Sequence, residues 1–190
     1  MTNKLGLKLC VTIAAVLALA PAAASAASSS SRSTGFGSAD APLGAAVGAL
    51  DYSGLLALEF PPSGFDIGPR LSGEVMYGVT DLTPGSRLKL GARASFAYHG
   101  SDLWLIEGVP DVKIAVALND LLALYGDVGL GLAVLSGNST DLAFTFQFGA
   151  GVAYVLNPHV NLLGEVRVDL YTRSGTTTFV SFPTVGLQFH

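Results

Sequence analysis

The chain has 190 residues, a formal net charge of −4 and a mean hydropathy of +0.52, with 23 glycines and 13% charged residues. That hydropathy is high for a water-soluble protein, yet no apolar run reaches the roughly 18–20 residues that a membrane-spanning helix needs. An acidic balance also disfavours nucleic acid as a partner.

The N-terminus has the three parts of a secretory signal peptide. Lys4 and Lys8 make a positive start, Val11 to Ala20 is a short apolar run, and Ala24-Ser25-Ala26 is an A-x-A cleavage site. Residues 1–26 are therefore expected to leave as a signal peptide, with cleavage after Ala26. The only cysteine, Cys10, would leave with it, so the mature chain is expected to have no disulfide and no thiolate metal site. Losing Lys4 and Lys8 takes the net charge from −4 to −6. Residues 27–42 are rich in Ser and Ala and read as a flexible leader. The remaining 43–190 suffice for one domain.

Eight alternating segments follow, each with a period of two, the signature of a strand whose successive side chains point to opposite faces. The first spans Ala46 to Phe60, and Pro61-Pro62-Ser63-Gly64 turns the chain. The second, Phe65 to Val79, sets Phe65, Ile67, Leu71, Val75, Tyr77 and Val79 against Asp66, Arg70, Ser72, Glu74 and Met76. A turn at 81–86 holds Pro84-Gly85. The third, Arg87 to His99, sets Leu88, Leu90, Ala92, Ala94, Phe96 and Tyr98 against Lys89, Gly91, Arg93, Ser95 and His99. Residues 100–108 read as a loop. The fourth, Val109 to Leu118, sets Val112, Ile114, Val116 and Leu118 against Asp111, Lys113, Ala115 and Ala117. After Asn119-Asp120 the fifth, Leu121 to Leu135, sets leucines and valines against Tyr125, Asp127, Gly129, Gly131 and Ala133.

The sixth and seventh segments flank the turn Asn157-Pro158-His159-Val160. Phe144, Phe146, Phe148, Ala150, Val152 and Tyr154 share one face, then Leu162, Gly164, Val166, Val168 and Leu170, opposite Glu165, Arg167 and Asp169. A loop at 174–178 precedes the eighth, Phe179 to Phe189, which ends with Val185, Leu187 and Phe189 facing one way. Leu118-Asn119 followed by Gly126-Asp127-Val128 recurs 38 residues later as Leu156-Asn157 followed by Gly164-Glu165-Val166. This echo reads as two hairpins on the same rim.

A soluble sheet hides its apolar face and shows its charges to water; a membrane barrel does the reverse. Segments of this length suit a tilted crossing of about 9–11 residues, and closure removes the edges that lipid could not satisfy. The pattern thus predicts an all-β fold, a closed eight-stranded antiparallel up-and-down transmembrane β-barrel. Its lumen would hold Arg70, Lys89, Arg93, Lys113 and Arg167 against Glu74, Asp111, Asp127, Glu165 and Asp169. Since an unpaired buried ion costs several kcal/mol, these are expected to pair across a filled interior. Tyr77, Tyr154 and Phe189 near one rim, and Phe60, Phe65, Phe96, Tyr98, Trp104 and Phe144 near the other, read as aromatic girdles.

Phe148-Gly149-Ala150-Gly151-Val152-Ala153-Tyr154, the Asn157-Pro158 turn and Leu162 to Tyr171 carry a resemblance. Over about residues 43–189 the chain resembles the small outer-membrane β-barrel superfamily, which includes the transmembrane domain of outer membrane protein A. The resemblance implies an exported bacterial outer-membrane protein in contact with lipid and lipopolysaccharide. It implies periplasmic turns at 81–86, 119–120 and 157–160, and outward loops at 100–108, 136–141 and 174–178. It also implies recognition of the C-terminal strand, Gly186-Leu187-Gln188-Phe189, by the outer-membrane assembly machinery.

One constellation invites a catalytic reading. His99-Gly100-Ser101 with Asp102 or Glu107 holds the side chains of a nucleophile, its base and an orienting acid, and lipid A deacylases resemble these barrels in size. His159 lies in a turn and His190 at the terminus, so three histidines give no metal cluster. Gly129, Gly131, Gly149 and Gly151 precede no helix, which rules out a phosphate loop; small inward residues instead leave room for larger neighbours. The expected function is that of a monomeric, non-enzymatic barrel serving envelope integrity or surface interaction, without catalytic residue, metal or cofactor. The alternatives are a lipid A-modifying enzyme, a narrow porin-like pore, and a soluble periplasmic lipocalin-like carrier.

Overall fold

The computed structural model describes residues 41–62, 66–100, 103–137, 139–172 and 176–190. The expected signal peptide, its cleavage site and most of the leader lie outside these residues, as do Phe65, Ser101 and Asp102. Eight strands follow one another around a closed ring. They are β1 (Leu50–Phe60), β2 (Gly68–Thr83), β3 (Ser86–His99), β4 (Leu103–Asn119), β5 (Leu122–Ser136), β6 (Thr140–Asn157), β7 (Val160–Thr172) and β8 (Thr176–Phe189). Every neighbouring pair is antiparallel, and β1 pairs with β8 as well as β2, so neither end strand keeps an open edge.

One rim carries the tight turns β2–β3, β4–β5 and β6–β7 together with the start of β1 and the end of β8. At Thr83↔Ser86 the chain reverses through Pro84-Gly85, where Gly85 takes φ +82. The two echoed motifs make the other turns. Asn119 Oδ1 accepts from the Leu121 amide and Asn157 Oδ1 from the His159 amide, both at 2.9 Å. Asparagine suits these sites because its side chain can bond the backbone two residues on and so mimic a turn. We call this the turn rim and the opposite one the loop rim.

The predicted strands are present, with differences. The first begins at Leu50 and not at Ala46, because Ala41–Leu43 forms a 3-10 turn and the chain bends again before entering the sheet. The loop expected at 100–108 is shorter: β4 starts at Leu103 and pairs along β3 from His99↔Leu103 to Ser86↔Val116. Trp104, Ile106 and Glu107 are thus strand residues. In β8 an extra residue is inserted against both neighbours, since Ala57↔Thr184 steps to Glu59↔Ser181 and Glu165↔Thr184 steps to Arg167↔Ser181. Pro183 lies in that interval, where its missing amide would break a regular ladder. The insertion resets the alternation. Phe179 points inward although it shares odd parity with the outward Val185, Leu187 and Phe189.

The barrel carries its apolar side outward. Leu71, Leu90, Ile114, Leu130, Phe146, Phe148 and Val185 are exposed. Among the described residues, Asp66, Asp81 and Asp120 are the charged side chains classed as exposed and all three sit at a rim, so the wall between the rims carries none. Continuous apolar exposure on this scale is incompatible with water and matches a lipid-facing wall.

Candidate functional site: the barrel interior

The interior is where the charged residues converge, because alternation along the strands, reset once in β8, places about every second side chain there. All ten lumen residues named from the sequence are buried inside. The charges do not balance as expected, however. Asp51, Glu59, Glu107 and Arg87 join them, giving eight buried carboxylates against six buried cations among the described residues. Glu107 lies in a stretch that reads as loop from its composition, and Asp51 and Glu59 lie in the least regular segment, which hides them from a parity count.

The ion pairs fall into three tiers. Near the turn rim Lys89 pairs with Asp51, and Arg87 Nε meets Asp81 at 2.7 Å. In the middle Arg93 bridges Glu74 and Glu165, the latter at 2.7 Å. Lys113 also binds Glu74 and lies 4.8 Å above the Tyr125 ring. Arg167 reaches Asp127 at 2.7 Å and Glu165 at 3.1 Å, and the Tyr125 hydroxyl donates to Glu165 at 3.1 Å. Near the loop rim Arg70 serves Glu59 at 2.7 Å together with Asp169 and Glu107. Glu107 also accepts from Gln147 at 2.7 Å and from the Tyr171 hydroxyl at 2.9 Å. Each guanidinium has several planar donors, which is why arginine can hold two or three carboxylates at once. Asp111 is the exception: its buried carboxylate makes no hydrogen bond or ion pair among the described residues.

The inward glycines make room for this network. A Cβ at Gly149 would lie 2.6 Å from Asp127 Oδ1 and 2.7 Å from the Arg167 guanidinium. One at Gly151 would lie 2.5 Å from the Tyr125 ring. The bulky partners on β5 and β7 thus occupy space that a side chain on β6 would take.

Of the constellation with nucleophile, base and acid, the structure describes His99 and Glu107. His99 is fully buried inside the barrel. Its Nδ1 contacts the Asp66 carbonyl oxygen and its Nε2 the Glu59 carboxylate, each at 3.1 Å, and its ring packs on Phe179 at 5.5 Å between centroids. Both ring nitrogens are therefore engaged. Glu107 faces the Arg70 tier, and Ser101 and Asp102 lie outside the described residues. His159 is exposed in the β6–β7 turn, and the His190 amide donates to its carbonyl at 3.1 Å.

A family model described as "Outer membrane protein beta-barrel domain" matches residues 12–187. No curated protein matches the chain. Among solved structures, the outer membrane enzyme PagL is similar with a TM-score of 0.56 at 18% identity, over 74% of this chain and 99% of that one. Neisserial surface protein A is similar with a TM-score of 0.53 at 13% identity, over 74% of this chain and 94% of that one. At such identities these likenesses concern the fold alone.

Proposed function

The chain belongs to the outer membrane protein β-barrel domain family, and from that premise we propose that it is a non-enzymatic outer-membrane barrel with a closed lumen, serving envelope integrity or surface interaction. One observation carries this reading: the interior is filled by three tiers of cross-strand ion pairs, which lock the strands together and occupy the space a conducting path would need. The outer wall, in turn, offers lipid only apolar side chains between the rims. The turn rim faces the periplasm, the loop rim faces outward toward lipopolysaccharide, and the barrel works as a monomer. The assembly machinery reads Gly186-Leu187-Gln188-Phe189 at the end of β8.

The alternative is an enzyme acting on outer-leaflet lipid; the outer membrane enzyme PagL shares the fold, and a shared fold leaves the activity open. The engagement of both His99 nitrogens inside the barrel argues against it, since a general base needs a nitrogen free to face its nucleophile. Purified barrel in planar bilayers, with lipid A profiles of cells carrying wild-type chain or Ser101→Ala, tests the proposal. It predicts no conductance steps and identical profiles. Defined steps, or a lipid A change that Ser101→Ala abolishes, would overturn it.

A further inference from the structure

The turn-side mouth is not left to solvent. The Leu43 side chain, 1% exposed, enters it from the 3-10 turn Ala41–Leu43 and packs with Leu55, Ala115, Ala123, Ala153 and Leu163 above Tyr125. Three of these wall residues are alanines, so the wall is recessed where Leu43 fits. The segment is tethered by side chains that point from the sheet into the mouth. The Ala45 amide donates to Asp51 Oδ1 at 2.5 Å, Arg87 donates to the Ala45 carbonyl at 2.7 Å, and Asn161 Nδ2 donates to the Ala41 carbonyl at 3.2 Å. The Gly48 amide bonds the Gly78 carbonyl at 2.8 Å, and the Gly78 amide bonds Ala49 at 3.0 Å. Gly44 takes φ +82 directly over the Lys89–Asp51 pair, where a Cβ would lie 2.6 Å from Lys89 Nζ.

We propose that residues 41–49 are a self-supplied plug: Leu43 stoppers the turn-side mouth of the lumen, and the segment can leave its seat while the barrel stays closed. The five hydrogen bonds that hold the segment to the sheet lie outside the pairings between strands, so it can open locally before the whole unfolds. Withdrawal would expose an alanine-lined mouth floored by Lys89, Asp51 and Tyr125 and leave the middle and loop-rim tiers in place. Plug and ion-paired tiers are then two closures in series. Thiol labelling reads the first and conductance the second, so failure of one reading is distinguishable from failure of the other.

The test uses full-length chain in a Cys10→Ser background, folded in vesicles, with faster migration of the unboiled band as the check of folding. With Leu43→Cys and Ala153→Cys together, oxidation should join the two positions and give a reductant-sensitive band after boiling. With Ala123→Cys alone, a water-soluble thiol reagent should react slowly. Adding Leu43→Asp, which puts a charge into the apolar seat, should speed that reaction by about tenfold or more. A folded barrel in which the 43–153 pair never cross-links, or in which Leu43→Asp leaves the rate at Ala123→Cys unchanged, would overturn the plug. The cross-link tests the seating of Leu43 even if Leu43→Asp hinders folding.

Discussion

Replacing Arg70 with Met tests whether the interior is held by ion pairs or merely contains them. Arg70 is the cation shared by Glu59, Glu107 and Asp169 near the loop rim. Methionine keeps much of its length but leaves three carboxylates facing one another. Glu107 keeps Gln147 and Tyr171, and Glu59 keeps His99, whereas Asp169 loses its only ion-pair partner among the described residues. Breaking a buried pair by removing one partner costs about 3–5 kcal/mol. With a urea dependence of about 2 kcal/mol per molar, the midpoint should fall by about 1.5–2.5 M. Arg93→Met is the control. It also removes a buried guanidinium, yet Glu74 keeps Lys113, and Asp127 and Glu165 keep Arg167, so its loss should be the smaller. Adding Asp169→Asn to Arg70→Met should recover part of the loss, since the two positions touch and are coupled. The assay is reversible urea unfolding in lipid vesicles, followed by tryptophan fluorescence of Trp104 and by the heat-sensitive gel shift. An Arg70→Met loss below about 1 kcal/mol, or an Arg93→Met loss of equal size, would refute the shared-cation reasoning.

Asp111→Asn should have the opposite sign: its carboxylate is buried without a partner among the described residues, so removing the charge should leave stability unchanged or raise it by up to about 1 kcal/mol in the same urea titration. Gly149→Val should push into the Asp127–Arg167 pair and cost about 1–3 kcal/mol, with the unboiled band losing its heat resistance at a lower temperature. Leu130→Arg on the outer face of β5 should cost about 2–4 kcal/mol if that residue sits near the bilayer midplane, and its folding yield into vesicles should drop accordingly. Cells carrying Ser101→Ala should show the wild-type lipid A profile by mass spectrometry.

What was legible in the sequence was whatever alternation alone decides. Phe144 to Tyr154 and Leu162 to Leu170 already showed which residues face lipid and which face the lumen, and the Asn119 and Asn157 turns marked one rim. The remainder depends on pairing between distant segments. Glu107 follows Gly100 and precedes Gly108, a stretch whose composition reads as loop; only its partnership with Ser95 across β3 makes it strand, and so places its carboxylate on Arg70. Phe179 could not be placed inside by parity, because the extra residue near Pro183 shifts the phase between it and Val185. Leu43 sits in a stretch with no period at all. Its role comes from a recess formed by Ala115, Ala123 and Ala153, three positions that look unremarkable when read one at a time.

Closure of the ring by β1 and β8 also dictates an order of events. Tyr52 lies beside Phe189, so the last pairing joins residues 189 − 52 = 137 positions apart. In a chain made from its N-terminus onward, β1 must wait for β8, seven strands later, before its second neighbour exists. Such long-range pairing is intrinsically slow. Until then β1 and the newest strand each present an unpaired edge, and a chain that stops before β8 would keep two such edges for good. The fourteen residues of β8, Thr176–Phe189, therefore determine whether the seven earlier strands end as a barrel or as an open sheet prone to aggregation.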